Sequence, residues 1–152
     1  MADELALDRQ LCFALYAASR AMTQLYRPML DDLGLTYPRY LVMLVLWERE
    51  SATVTELGAA LALDSGTLSP LLKRLAAAGL VTRTRTRTDE RSVRIGLTEA
   101  GSVLRERATC VPRQLAHAVG LPAGEIENLR RTLVQLTDVV SRQRLEPGGK
   151  ST

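Results

Sequence analysis

Apolar residues recur at spacings of three and four along the first part of the chain. Leu11, Leu15, Ala18, Met22, Leu25 and Met29 form one stripe, which predicts a long amphipathic helix over Leu5–Leu33. Pro28 is a candidate bend, and Asp31–Leu35 ends the helix with Gly34 as its C-cap. Thr36-Tyr37-Pro38 opens a second helix to about Glu48, with Pro38 near its first position. The run Tyr40–Trp47 is apolar nearly all round and should be buried. Thr53-Val54-Thr55-Glu56 has the capping-box spacing and predicts a short helix over Glu56–Leu61. Ala62-Leu63-Asp64 reads as a tight turn. Asp64 or Ser65 then caps a helix that runs to Ala78 and stops at Gly79. Pro70 removes a hydrogen bond, so the start of that helix is expected to be irregular.

The period then changes. Arg83, Arg85 and Arg87 alternate with Thr82, Thr84, Thr86 and Thr88, the twofold alternation of a strand. Arg87–Arg91 is the expected turn and Ser92–Leu97 the return strand, giving a cationic hairpin. Thr98-Glu99 caps a further helix to about Ala118, expected to kink at Pro112. The last helix covers about Ala123–Arg144, with Ile126, Leu129, Leu133, Leu136 and Val140 on its apolar face. Pro147–Thr152 reads as a disordered tail.

Helix, turn, helix and hairpin, flanked by long helices, is the order of a winged helix-turn-helix. The expected fold is therefore mainly α with a small β-hairpin wing. One domain is expected over residues 1–146, with its DNA-binding lobe at about 50–98 and the tail at 147–152. In such a lobe the second helix enters the major groove and the hairpin reaches the minor groove or backbone.

Charge supports this order. The chain of 152 residues carries a formal net charge of +3. Residues 73–94 hold Lys73, Arg74 and the five hairpin arginines against only Asp89 and Glu90, so the remainder is net acidic. A local basic footprint fits nucleic acid, because like charges crowded on one hairpin repel unless they face a polyanion. The competing reading is a solvated hairpin with scattered charge. The candidate DNA-binding residues are Ser65, Thr67, Ser69, Lys73, Arg74, Arg87, Asp89 and Arg91. Hydroxyls read bases or hold phosphates, and the cations add charge.

Other classes are disfavoured. No apolar run is long enough to span a bilayer, and the N-terminus has no basic signal-like region, so a cytoplasmic protein is expected. Hydrophobic residues make up 46% and aromatics 4% of the chain, enough for one core. Cys12 and Cys110 lack metal-ligand spacing, and no metal or cofactor is expected. No CxxC motif or catalytic dyad supports an enzyme; His117 has no identifiable acid partner.

The wing motif Asp89-Glu90-Arg91-Ser92…Leu97-Thr98 resembles the D-x-R…LT signature of the MarR family of dimeric winged-helix transcription regulators. The resemblance implies that Asp89 and Arg91 brace the wing, that an arginine near its tip enters the minor groove, and that a homodimer binds a palindromic operator. LCFALY (Leu11–Tyr16), LTYPRYL (Leu35–Leu41) and LDSGTLSPLLKR (Leu63–Arg74) are similar to the organic-hydroperoxide-sensing, OhrR-like branch. That similarity implies a repressor that releases its operator when Cys12 is oxidised, with Tyr26 and Tyr37 contacting the sensor. Tyr16 and Tyr40 are alternatives for the tyrosine roles. The effector would be an organic hydroperoxide.

The branch also implies two sorts of member. Some have only the sensor thiol, whose sulfenate is captured by a small thiol. Others carry a resolving cysteine a few residues after the proline matched by Pro112, where this chain has His117. Cys110 is therefore expected to be a bystander, with an intersubunit Cys12–Cys110 bond as the alternative.

The chemistry has its own requirements. A thiolate attacks peroxide to give a sulfenic acid, and needs donors near sulfur. No Lys or Arg on its helix face is an obvious charge partner for Cys12, Arg9 being the one candidate. Tyrosine hydroxyls from the second helix of either subunit are the other donors. An apolar wall suits bulky organic hydroperoxides. A lone cysteine on an apolar helix is otherwise an inert core residue; the protein would then be a repressor responding to a small aromatic ligand.

Overall fold

The computed structural model describes residues 3–85 and 92–145. A 3-10 turn (Leu7–Arg9) leads into α1 (Leu11–Asp31), α2 (Tyr37–Arg49), β1 (Ser51–Thr53), α3 (Val54–Leu61), α4 (Ser65–Ala77), β2 (Val81–Arg85) and β3 (Val93–Leu97). Three helices follow: α5 (Glu99–Ala108), α6 (Val111–Val119) and α7 (Ala123–Leu145). The chain divides into two compact units, residues 1–115 and 116–152.

In the first unit the helix-turn-helix forms as its caps dictate. Thr53 and Glu56 close a reciprocal capping box on α3: Thr53 Oγ1 accepts from the Glu56 N–H at 3.1 Å, and Glu56 Oε2 accepts from the Thr53 N–H at 3.0 Å. Asp64 caps α4 by accepting from the Thr67 N–H at 2.7 Å. Pro70 lies inside α4, and the helix continues through it instead of starting irregularly. It falls in the second turn, where the loss is a single bond to the Gly66 carbonyl.

The sheet has three strands in the order β1-β3-β2, all antiparallel. The hairpin strands pair Val81 with Leu97 and Arg85 with Val93. β1, which sequence periodicity did not reveal, adds Ala52 opposite Ile95. Both are fully buried. The core joins them to Val42, Met43 and Leu46 of α2, Leu57 of α3, and Leu68, Leu72 and Leu75 of α4. α2 is buried as expected, except that Leu44 is 40% exposed.

α5 locks onto this core through a close approach. Trp47 Nε1 donates to the Gly101 carbonyl at 2.9 Å, and a Cβ at Gly101 would lie 2.1 Å from the Leu80 carbonyl oxygen. Thr98 Oγ1 donates to the Gly79 carbonyl and accepts from the Gly101 N–H at 3.0 Å.

Two long helices predicted from the sequence are each divided. The Leu5–Leu33 stripe begins with the 3-10 turn, because Gln10 is extended (φ −87°, ψ 114°). Its side-chain amide donates back to the Glu4 and Ala6 carbonyls at 2.9 and 3.0 Å. The Thr98–Ala118 helix is not kinked but broken into α5 and α6. Pro112 has no N–H for the Ala108 carbonyl, so one helix ends there and the next starts with proline in its first turn. The expected wing turn and the 147–152 tail lie outside the described residues.

In the second unit, α7 has no buried residue among those described. Leu129, Leu133, Val134, Val139 and Val140 are all exposed. In the first unit α1 likewise exposes Leu11, Phe13, Tyr16, Met22 and Leu25.

Candidate nucleic-acid interface and thiol site

α4 is held by one face and presents the other. Leu68, Leu72 and Leu75, at spacings of four and three, bury its inner face. This turns Ser65, Thr67, Lys73 and Arg74 outward, while Ser69 is half-buried. Gly66 and Pro70 are also exposed on this face; neither was chosen as a site residue from the sequence, because neither carries a hydrogen-bonding side chain. The Thr67 N–H and hydroxyl, which bond Asp64, hold the Asp64 carboxyl below its ordinary range.

The hairpin is anchored at its base by buried Val81 and Ile95, and it exposes Arg83 and Arg85. Both arginines were part of the sequence pattern, but neither was chosen as a site residue. Arg94, opposite Thr84, donates from Nη1 to Ser51 Oγ at 3.1 Å. The wing-tip candidates Arg87, Asp89 and Arg91 lie outside the described residues.

Cys12 is exposed in the first turn of α1. The N-cap residue Gln10 gives that turn no side-chain hydrogen bond, so its leading N–H groups are not capped by a side chain. Tyr26 and Tyr37 are not beside Cys12 in the same chain. They pack on each other with ring centroids 4.8 Å apart, and Tyr40 joins them at 5.8 and 6.5 Å. Tyr26 lies fourteen residues after Cys12 on one helix, about 21 Å along its axis. Tyr16 stands apart from the cluster, with the Arg20 guanidinium 5.5 Å from its ring centre. Cys110 sits between α5 and α6, its thiol donating to the Arg107 carbonyl at 3.3 Å. It is within electrostatic reach of Tyr40.

Burial, and then the neighbouring hydroxyls of Tyr37 and Tyr40, push Tyr26 up to about 12. Burial also raises Tyr37, and burial with Tyr37 and Cys110 raises Tyr40. All three hydroxyls are therefore neutral donors at pH 7. The folded state holds these protons more tightly than the unfolded chain. The associated stability is present below pH 10 and is lost as pH rises toward 12. Absorbance at 295 nm should reveal late-titrating tyrosines, and Tyr26→Phe should remove the latest. A single transition near pH 10 in the folded protein would contradict the cluster.

Among the described residues no group of acidic, histidine or cysteine side chains is arranged to hold a metal. No helix among them is long and apolar enough to cross a membrane.

Comparison with known proteins bears on both regions. The family described as transcriptional regulator SarA/Rot matches residues 24–107. The organic hydroperoxide resistance transcriptional regulator of Bacillus subtilis (strain 168) is 45% identical over 141 residues, 93% of this chain and 96% of that protein. Reduced AbfR bound to DNA superposes with a TM-score of 0.74 at 37% identity, over 88% of this chain and 94% of that one. AbfR, from Staphylococcus epidermidis, is also known overoxidised and bound to DNA (TM-score 0.68, 39% identity, 86% and 94% covered). Its disulfide form has a TM-score of 0.59 at 35% identity, with 92% and 93% covered.

Proposed function

Because this chain belongs to the MarR/SarA-type winged-helix transcriptional regulators, we propose that it is a dimeric, DNA-binding repressor switched by oxidation of Cys12 with organic hydroperoxides. The observation that carries this reading is the separation of the exposed Cys12 from a cluster of neutral tyrosine donors, Tyr26 and Tyr37 half-buried and Tyr40 buried. One chain cannot bring them together along a continuous helix. A second copy, packed through the exposed apolar stripes of α1 and α7, supplies the tyrosines in trans. A twofold dimer is the simplest arrangement that covers both stripes.

The thiol step balances without a cofactor. The Cys12 sulfur forms an S–O bond to the hydroperoxide, the O–O bond breaks, and the alcohol leaves with the thiol proton. Sulfur is oxidised by two electrons and the peroxide is reduced by two. A small thiol then displaces water from the sulfenic acid to form a mixed disulfide. AbfR exists on DNA when overoxidised and also in a disulfide form. This favours an adduct of thiol size, rather than added oxygen alone, as the species that separates the recognition helices. Cys110 remains a bystander in this reading.

On DNA, α4 lies in the major groove and the wing reaches the adjacent minor groove. Lys73→Ala and Arg74→Ala should each lower the slope of log affinity against log salt by about one. Ser65→Ala or Thr67→Ala should change sequence preference, and Arg91→Ala should weaken every sequence. Fluorescence anisotropy on duplexes selected by the reduced protein tests this. Unchanged salt slopes in both α4 variants would remove the docking.

A further inference from the structure

A cavity of about 650 Å³ opens where the end of α2 meets β1, β3 and α5. Its volume falls in the range of small-molecule sites. It shares no residue with the tyrosine cluster or with the exposed face of α4.

Two opposite charges line it, Glu50 from the α2–β1 junction and Arg105 from α5. Among the described residues neither side chain forms an ion pair or hydrogen bond. Glu50 is also held where a side chain is disfavoured. Its φ is +65°, its N–H donates to the Leu46 carbonyl at 2.7 Å, and its own carbonyl accepts from the Leu97 N–H at 3.3 Å. Glycine would adopt that backbone freely, yet a carboxylate stands there. Ser51 Oγ accepts from Arg94 at 3.1 Å, which leaves its own proton to donate. The Ser102 hydroxyl lines the same space and has no partner among the described residues. Trp47 spends its N–H on Gly101, so it offers the cavity apolar surface, as does Leu97.

We propose that this cavity binds a small zwitterion of the α-amino-acid class with an apolar side chain. Arg105 and the serine hydroxyls take the carboxylate, Glu50 takes the ammonium, and the side chain lies on Trp47 and Leu97. Ser51 and Gly96 pair across β1 and β3 at this point, so the ligand grips the sheet whose other end carries the wing arginines. The site is independent of the thiol switch.

Amide chemical shifts of the intact protein, titrated with L-leucine, L-methionine and L-phenylalanine, test the proposal. N-acetyl-L-leucine lacks the ammonium and L-leucinamide lacks the carboxylate. At least one of the three amino acids should give saturable shifts at Ser51, Gly96 and Ser102 with a Kd of about 1 mM. For leucine, both derivatives should bind at least about tenfold more weakly. Glu50→Gln and Arg105→Gln, with melting temperatures confirming the fold, should each weaken binding by a similar factor. Cys12→Ser should bind like wild type, so a failed redox reading leaves this result intact. Absence of saturable shifts with all three amino acids, equal binding of the derivatives, or indifference to both substitutions would overturn the proposal.

Discussion

Cys12→Ser protein is expected to keep its operator through an organic hydroperoxide treatment that weakens the wild-type complex at least about a hundredfold. A hundredfold change corresponds to roughly 2.7 kcal/mol of difference between the DNA-competent and released geometries. In the proposed dimer that energy comes from a Cys12 adduct crowding the helix interface between subunits, which resists added volume. The serine hydroxyl cannot form a sulfenic acid or a disulfide, so the variant loses the switch while keeping the shape. Cys110→Ser should respond like wild type. Its failure to release DNA, together with loss of a covalent dimer on non-reducing gels, would instead assign Cys110 the resolving role.

The second large effect is structural. Gly101→Ala should cost about 3 kcal/mol or more of folding stability. The new methyl would meet the Leu80 carbonyl oxygen at 2.1 Å and Leu97 Cδ2 at 3.2 Å. α5 cannot retreat without breaking the Trp47–Gly101 and Thr98–Gly101 hydrogen bonds. Gly34→Ala is the contrast. Gly34 has φ +69° with nothing within 4 Å of its added Cβ, so its cost is conformational and about 1 kcal/mol. Urea denaturation of the two variants should separate them clearly. Equal midpoints would mean that α5 does not pack against the Leu80 carbonyl as described.

The parts of the fold legible in the sequence were those with local causes. The capping box at Thr53 and Glu56, the Asp64 cap and the stop at Gly79 act within a turn or two of chain, and each appears at its expected place. β1 was not legible because three residues hold no periodicity; its pairing with β3 is a long-range event. The α5–α6 break was misread as a kink because a proline in a helical pattern allows either outcome, and packing decides between them. The 3-10 turn before α1 depends on the Gln10 amide folding back, which apolar spacing does not encode.

Candidate site residues could be named from the sequence one by one, but not their arrangement. Tyr26 and Tyr37 were named from the resemblance to the hydroperoxide-sensing branch, with Tyr16 and Tyr40 as alternatives, and the structure packs them together with Tyr40. The distance of Tyr26 from Cys12 follows already from the helix expected over Leu5–Leu33, whereas the place of Tyr37 beside Tyr26 depends on how α2 packs on α1. On α4, polar side chains were chosen as site residues while Gly66 and Pro70 were not, although exposure depends on which face Leu68, Leu72 and Leu75 bury.

The most direct test of the central claim is the rate of Cys12 oxidation in a mixed dimer, measured by stopped flow with cumene hydroperoxide in a Cys110→Ser background. One subunit carries Cys12→Ser with its tyrosines intact. The other keeps Cys12 but carries Tyr26→Phe and Tyr37→Phe. If the tyrosines serve the sensor across the dimer, the single remaining thiol should react within about twofold of the wild-type rate. The homodimer lacking both tyrosines should be at least about tenfold slower. A mixed dimer as slow as that homodimer would contradict the account.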